Sequence, residues 1–227
     1  DAADESTIDA DSDGAVNEWR DKSGNSNHAA PVNNHKPKIL SDSKLDGTKV
    51  MQFVYKDYFG IPELKDYSEG ELYIVVRVDT DGAYYGGFHS WGNDINQHYA
   101  YAGDVYENFG RDKRIKFTPD LDFKEYVVYH VSSSSSAFQV RINNNLELDS
   151  TQGSVSWGAS NTLGKSTGGA FGSSTWDYVT GFVAEVVFFD KVNTDTDRDE
   201  IYEYLGKKWG VIKPPPENIV EELKYGG

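Results

Sequence analysis

Three carboxylates stand at alternate positions near the start of the chain, Asp9, Asp11 and Asp13, and Gly14 closes the run "DADSDG". Calcium takes roughly six to eight oxygen ligands, and D-x-D-x-D-G is the front half of a loop that supplies them. A bidentate glutamate completes such a loop at its twelfth position. Counted from Asp9, that position is Arg20, so a cation stands where the last ligand belongs. The segment therefore reads first as a solvated acidic hairpin tip leading into Trp19. A weak Ca2+ site on Asp9, Asp11 and Asp13 is the second reading. Asp79 and Asp81 in "DTDG" read as a plain turn.

Sugar recognition asks for an aromatic face against the apolar side of the ring and planar polar groups for its hydroxyls. Two glycine-rich segments have that mix. "YYGGFHSWGNDINQHY" brings Tyr85, His89, Trp91, Asn93 and Asp94; "GGAFGSSTWDY" brings Trp176, Asp177 and Tyr178. The structural alternative is a tryptophan plugging the end of a core. It applies to Trp91 and Trp176 as well, and it is preferred for Trp157 in "SVSWGASN". His28 and His35 read as surface groups in polar turns, and His130 as a packed strand residue.

Composition narrows the partners. The formal net charge of −15 repels phosphate backbones, which argues against nucleic acid and favours neutral or cationic ligands and divalent cations. Cysteine is absent, which removes disulfides, thiol catalysis and thiolate metal sites. No apolar run approaches the ~18 residues of a membrane-spanning helix, so insertion into a bilayer is not expected. The opening "DAADEST" reads as a start inside a longer polypeptide.

These side chains have to be positioned by strands. "ELYIVVRV" sends Leu72, Ile74, Val76 and Val78 one way and Glu71, Tyr73, Val75 and Arg77 the other. "GFVAEVVFFD" is apolar on both parities, the pattern of a strand covered on both faces. "INNNLEL" is a hairpin signal, because asparagine tolerates a left-handed backbone. Ser132–Ser136 reads as a flexible connection. One helix is predicted in "TDTDRDEIYEYLGKKWG". Thr194 and Asp197 form its capping box, Gly210 its left-handed end, and Ile201, Tyr204, Leu205 and Trp209 its apolar stripe. The predicted fold is all-β: a two-sheet antiparallel sandwich of jelly-roll type with one C-terminal helix packed on it. One domain spans 1–212, and 213–227 forms a proline-rich linker or docking tail.

Three blocks resemble a known family. "AVNEWRDKSGNSNHA" is similar to the W-x-D-x-S-G-x-x-N-H-A segment of concanavalin-like, laminin-G-like jelly rolls. "VMQFVYKDYFGIP" resembles their F-x-x-x-D-x-Y/F-x-I-P stretch. "GFVAEVVFFDKVNTDTDRDEIYEYLGKKWGV" resembles their closing strand, helix and K-W-G ending. The resemblance implies that Trp19 is a core tryptophan and that Asp21, Ser23 and Asn25 build a turn. It also implies that Glu185 is a buried strand carboxylate held by backbone amides or an arginine.

The enzymes within that superfamily are poorly matched. Laminarinase-like members carry E-x-D-x-x-E on one strand, whereas Glu185 and Asp190 are five apart, and no other strand is expected to pair acids on one face. "QHYAYAGDVYEN" resembles the Y-x-K-A-G-x-Y-x-Q strand of certain alginate lyases, which would give His98 and Tyr106 a proton-transfer role. The lysine of that pattern is missing. No nucleophile-elbow pattern supports a Ser-His-Asp site. The expectation is a non-catalytic carbohydrate-binding or adhesion module of a larger assembly, extracellular or exposed on a cell or virion surface. A phage capsid-decoration or tail component making protein contacts is the alternative, and a lyase or hydrolase stands behind both.

Overall fold

The computed structural model describes residues 1–32, 34–62, 67–79, 86–92, 98–101, 103–151, 154–158, 161–166 and 178–212, with backbone only at 98–101. Its strands are β1 (Ile8–Ala10), β2 (Val16–Trp19), β3 (Ala30–Pro31), β4 (Lys38–Asp42), β5 (Thr48–Phe53), β6 (Phe59–Ile61), β7 (Gly70–Val78) and β8 (His89–Ser90). They continue as β9 (His98–Tyr101), β10 (Asp104–Glu107), β11 (Ile115–Phe117), β12 (Val127–Ser133), β13 (Phe138–Ile142), β14 (Asn145–Ser150), β15 (Asn161–Leu163) and β16 (Gly181–Phe189). The helix α1 runs Asp195–Trp209.

A seven-stranded antiparallel sheet, ordered β14-β13-β12-β7-β16-β5-β4, is the backbone of the molecule. Its inner face meets a four-stranded sheet, β3-β6-β15-β8, a three-stranded sheet, β11-β10-β9, and the β1-β2 hairpin. One apolar core joins these layers: Phe53, Leu72, Ile74 and Val76 from the large sheet pack with Trp19, Phe59, Val105 and Leu163 from the pieces facing it. Phe53 and Phe59 meet edge-on across the layers at 5.8 Å. The outer face of the large sheet carries α1 over Val50, Tyr73, Val75, Val128 and Ala184. This explains why β16 is apolar on both parities and why β7 is buried along its whole length. The chain is an all-β sandwich with its C-terminal helix packed on one side.

A β-bulge between Val183 and Glu185 resets the alternation of β16. Ala184 belongs to the helix side, yet Glu185 also turns to that side, where it meets Tyr204, Lys208 and Trp209. The helix ends as predicted, with a Thr194–Asp197 capping box and a left-handed Gly210 at φ +65°. Its buried stripe differs from the predicted one. Arg198, Tyr202, Leu205 and Trp209 face the sheet, while Ile201 is half-buried and Tyr204 is exposed. Tyr204 is free to turn outward because its hydroxyl finds Glu185 at 2.9 Å at the edge of the interface.

The serine run is likewise corrected. Ser132 and Ser133 are buried residues of β12, and Ser134–Ala137 form a tight turn closed by Ser134 N–H to Ala137 O at 2.9 Å. The short hydroxyls bond the turn's own backbone, so the segment is a hairpin and not a loose connection. Asn143 and Asn144, both at positive φ, make the next hairpin as expected. Among the described residues no helix is long and apolar enough to cross a membrane.

Candidate functional site

The acidic hairpin folds onto itself. Asp11 Oδ1 accepts the N–H groups of Asp13 at 3.0 Å and Ala15 at 2.9 Å, and Gly14 takes φ +78°. Asp9, Asp11 and Asp13 are all exposed, and among the described residues no three His, Cys, Asp or Glu side chains converge as a metal-ligand set. Of the three, Asp11 is occupied by amides of its own hairpin. Asp11→Ala should therefore lower stability by about 1 kcal/mol, equally with and without millimolar calcium in a thermal melt. A loss seen only in calcium would assign the carboxylates to the ion.

The predicted sugar residues separate into three groups. Tyr85, Asn93, Asp94, Trp176 and Asp177 lie outside the described residues. Tyr178 is half-buried at the surface. His89 and Trp91 are buried, at 0% and 2% exposure. His89 stands 3.4 Å from Glu107 Oε2, a carboxylate that also accepts Tyr129 OH at 2.6 Å and the amides of Asn108 and Phe109 at 2.7 and 2.9 Å. Burial works to raise the Glu107 carboxyl, but His89, Tyr129 and the Phe109 amide outweigh it and hold the carboxyl below the ordinary range. His89 is thus committed to the interior. Trp91 is gripped by His89, Phe109 and Phe188, with ring centroids 5.5, 5.9 and 5.5 Å away.

Buried as it is, Trp91 lines a cleft of about 280 Å³. Trp19, Ile61, Leu163 and Phe188 contribute to its apolar wall, and Arg20, Asp21, Lys22, Ser23 and Asn27, together with Asp1 and Glu185, to its polar side. The indole N–H groups of both Trp19 and Trp91 are buried without a hydrogen-bond partner, which is costly unless something supplies an acceptor. The polar side is rigid. Asp21 receives Ser23 N–H at 2.8 Å, Ser23 Oγ at 2.6 Å and Asn27 N–H at 3.0 Å, and its own amide donates to His28 Nδ1 at 3.0 Å. Burial opposes ionisation of Asp21, yet the bonds from Ser23 and Asn27 and the nearby His28 keep its carboxyl below the usual value. Asn25 N–H donates to Ser23 Oγ at 3.2 Å, so the turn-building roles implied for Asp21 and Ser23 hold. Asn25 joins through its backbone.

Sequence reasoning places Trp19 in the core and Trp91 in a sugar loop. The structure brings both to one cleft. Ile61, Leu163 and Phe188 are missed because each reads as an ordinary strand residue within its own segment.

Glu185 and Arg77 are buried and partnered. Glu185 accepts Tyr204 OH at 2.9 Å, Lys208 Nζ at 2.9 Å and Trp209 Nε1 at 2.7 Å. Its partners come from the helix, not from backbone amides or an arginine, because the bulge aims it there. Arg77 bridges Asp42 and Asp79, each at 2.9 Å, and lies 4.1 Å from the Phe182 ring centroid. Asp79 is therefore more than a turn former. Asp81 lies outside the described residues.

Two pairs bear on catalysis. The backbone places His98 directly opposite Tyr106 across β9 and β10, and Tyr106 opposite Lys116 across β10 and β11. The side chain of His98 is outside the described residues. Tyr106 has the Arg114 guanidinium 4.5 Å from its ring centroid, and Lys116 pairs with Asp104 at 2.6 Å. The edge strand β14 carries acids two apart, Glu147 and Asp149, correcting the expectation that no second strand does so. Glu147 receives Asp120 N–H at 3.0 Å and Asp149 receives Gln139 Nε2 at 3.2 Å.

No protein-family model matches the chain, and no curated protein matches it in sequence. Solved structures match in fold. Domain 4 of a GH43 extracellular arabinanase from Geobacillus stearothermophilus, in complex with arabinotriose, aligns with a TM-score of 0.60 at 12% identity, over 83% of this chain and 97% of that one. The binding domain of botulinum neurotoxin DC in complex with rat synaptotagmin II gives 0.51 at 10% identity, over 85% of this chain and 52% of that one. A Trypanosoma rangeli sialidase gives 0.58 at 11% identity, over 88% of this chain and 32% of that one. The chain thus spans about half of the neurotoxin chain and about a third of the sialidase. Identities this low establish the shared β-sandwich fold and nothing finer.

Proposed function

We propose that this chain is a non-catalytic carbohydrate-binding module of the concanavalin-like, laminin-G-like type, working as part of a larger extracellular or surface-exposed polypeptide. The observation that carries the reading is the cleft: indole and phenyl walls beside a mixed-charge rim held by the Asp21–Asn27 turn. A sugar ring offers an apolar C–H face to the aromatic walls and hydroxyl oxygens to Arg20 and Asn27 on the polar side. The arabinanase domain, which matches nearly end to end and was solved with arabinotriose, supports the same reading.

The test is a glycan array followed by titration calorimetry on wild type and on rim variants that leave the core intact. Arg20→Ala and Asn27→Ala are each expected to weaken the leading glycan about tenfold, or ~1.4 kcal/mol, with an unchanged melting temperature. Absence of any glycan, together with self-association or capture by a virion protein, would replace this reading with the structural one.

The facing of His98 and Tyr106 favours a lyase as the second reading. Release of unsaturated oligosaccharides, abolished by His98→Ala and by Tyr106→Phe, would establish it.

A further inference from the structure

A second cluster shares no residue with the cleft. Val54–Asp57 is a tight turn, closed by Asp57 N–H to Val54 O at 2.8 Å and by Val54 N–H to Asp57 Oδ2 at 3.1 Å. It holds Lys56 at φ +75°, a left-handed backbone that a lysine adopts only when its surroundings impose it. The consequence is that Tyr55 and Lys56 are pushed outward beside Tyr58. Across from them, Lys165 and Tyr178 form an isolated β-bridge. The three tyrosines meet, with Tyr178 5.7 Å from Tyr55 and 6.0 Å from Tyr58 between ring centroids. Lys165 Nζ lies 4.9 and 5.3 Å from the centroids of Tyr58 and Tyr178, and Lys56 Nζ lies 5.0 Å from that of Tyr55.

The charge arrangement is unusual for this chain. At a net charge of −15, acids are plentiful, yet among the described residues neither Lys56 nor Lys165 stands within ion-pairing distance of a carboxylate. Both ammonium groups lie against tyrosine rings, which stabilise a cation without neutralising it. The turn's own acid, Asp57, is buried at 6% exposure, occupied by the Val54 amide, and has His35 and Lys38 for neighbours. Among the described residues the patch is therefore aromatic and cationic on a strongly acidic protein.

We infer that the tyrosine–lysine patch around Tyr178 is a subsite for a carboxylate-bearing sugar at the end of an otherwise neutral glycan. The tyrosine faces take the apolar side of the ring, and Lys165 and Lys56 take the carboxylate. Two cations match one or two carboxylates. A polyanion, whether polyuronate or acidic peptide, would be repelled by the net negative charge of the chain. The inference rests on the glycan-binding reading for its ligand class but not on the cleft.

Titrating the full chain with sialyllactose, with a glucuronate-terminated oligosaccharide and with lactose tests it. Both acidic probes are expected to bind at least tenfold tighter than lactose. The preference should weaken in 0.5 M salt, disappear in Lys165→Ala and Tyr178→Ala, and survive in Lys165→Arg and in the cleft variant Arg20→Ala. Preference for only one acidic probe identifies the sugar and keeps the site. Equal binding of acidic and neutral probes, or a preference lost in Arg20→Ala and kept in Lys165→Ala, overturns the subsite while leaving glycan binding intact. Equal competition by an acidic peptide overturns the ligand class. Binding of no glycan at all overturns both readings.

Discussion

Replacing Glu71 with alanine should destabilise the fold by about 3–5 kcal/mol and lower the melting temperature by about 10 °C. Glu71 is fully buried on the helix side of β7. Its Oε1 accepts Tyr73 OH at 2.8 Å and lies 2.6 Å from His130 Nε2, a contact that is close but poorly aligned as a hydrogen bond. Its Oε2 accepts the backbone and side-chain N–H groups of Asn193 at 2.6 and 2.8 Å. Asn193 immediately precedes the helix cap Thr194, so one carboxylate ties the central strand to the entry of α1. Removing it leaves several buried donors without an acceptor, and each such orphan costs about 1–3 kcal/mol. Glu71→Gln keeps one acceptor oxygen and should lose about half as much, measured by urea or thermal unfolding.

The same cluster sets a direction for pH. Burial works to raise the Glu71 carboxyl, but His130, Asn193 and Tyr73 prevail and hold it below its ordinary value. Burial likewise pushes His130 below 6.5, and Glu71 only partly opposes this. A depressed histidine means that the unfolded chain takes up a proton before the folded one, so stability falls as pH drops below about 6.5. A depressed carboxylate adds stability above its unfolded value and loses it as pH falls through the folded one. Both slopes have the same sign. Melting temperature should decline on acidification from pH 7 to 4, and His130→Asn should flatten the part of that decline nearest pH 6.

What the chain discloses in advance is local. The parity of β7, the capping box of α1, the Asn143–Asn144 turn and the Asp21–Ser23 turn each depend on residues within a few positions of one another, and each is legible as written. The β16 bulge is not, because a strand apolar on both parities carries no mark of where its pairing slips. Buried acids are hidden for a related reason. Glu71 and Glu107 look like the polar half of amphipathic strands, and only the layers above them, the helix over Glu71 and the His89–Tyr129 pair around Glu107, make them interior. The cleft is the extreme case. Its walls come from β2, β6, β15 and β16, whose juxtaposition is a property of the closed sandwich, so Trp19 reads correctly as core and still lines a site.

Gly92→Ala tests that link between closure and site, and it is expected to have the largest effect of any single methyl group added to the described residues. A Cβ at Gly92 would sit 1.8 Å from the carbonyl oxygen of Asn108 and 3.0 Å from that of Arg111, while a Cβ at Gly158 would sit 2.6 Å from Gly92 O. Three stretches of backbone are stacked there with no room for a side chain. Main chain cannot swing aside as a flexible side chain does, so the stacked connecting segments must separate, at about 3 kcal/mol or more. Asn108 is also anchored, through its amide, to the buried Glu107 carboxylate at 2.7 Å, so the strain reaches the His89–Glu107 network. Trp91 is the adjacent residue, and moving it opens the aromatic wall of the cleft. Glycan affinity should therefore drop at least tenfold at temperatures where the variant is still folded. Gly47→Ala is the control: it has open space around it and φ +79°, so it carries backbone strain alone, about 1 kcal/mol, with binding unchanged. Equal losses in the two variants, read from urea midpoints, would mean that the close stacking at Gly92 does not exist in solution, and the cleft built on it would go too.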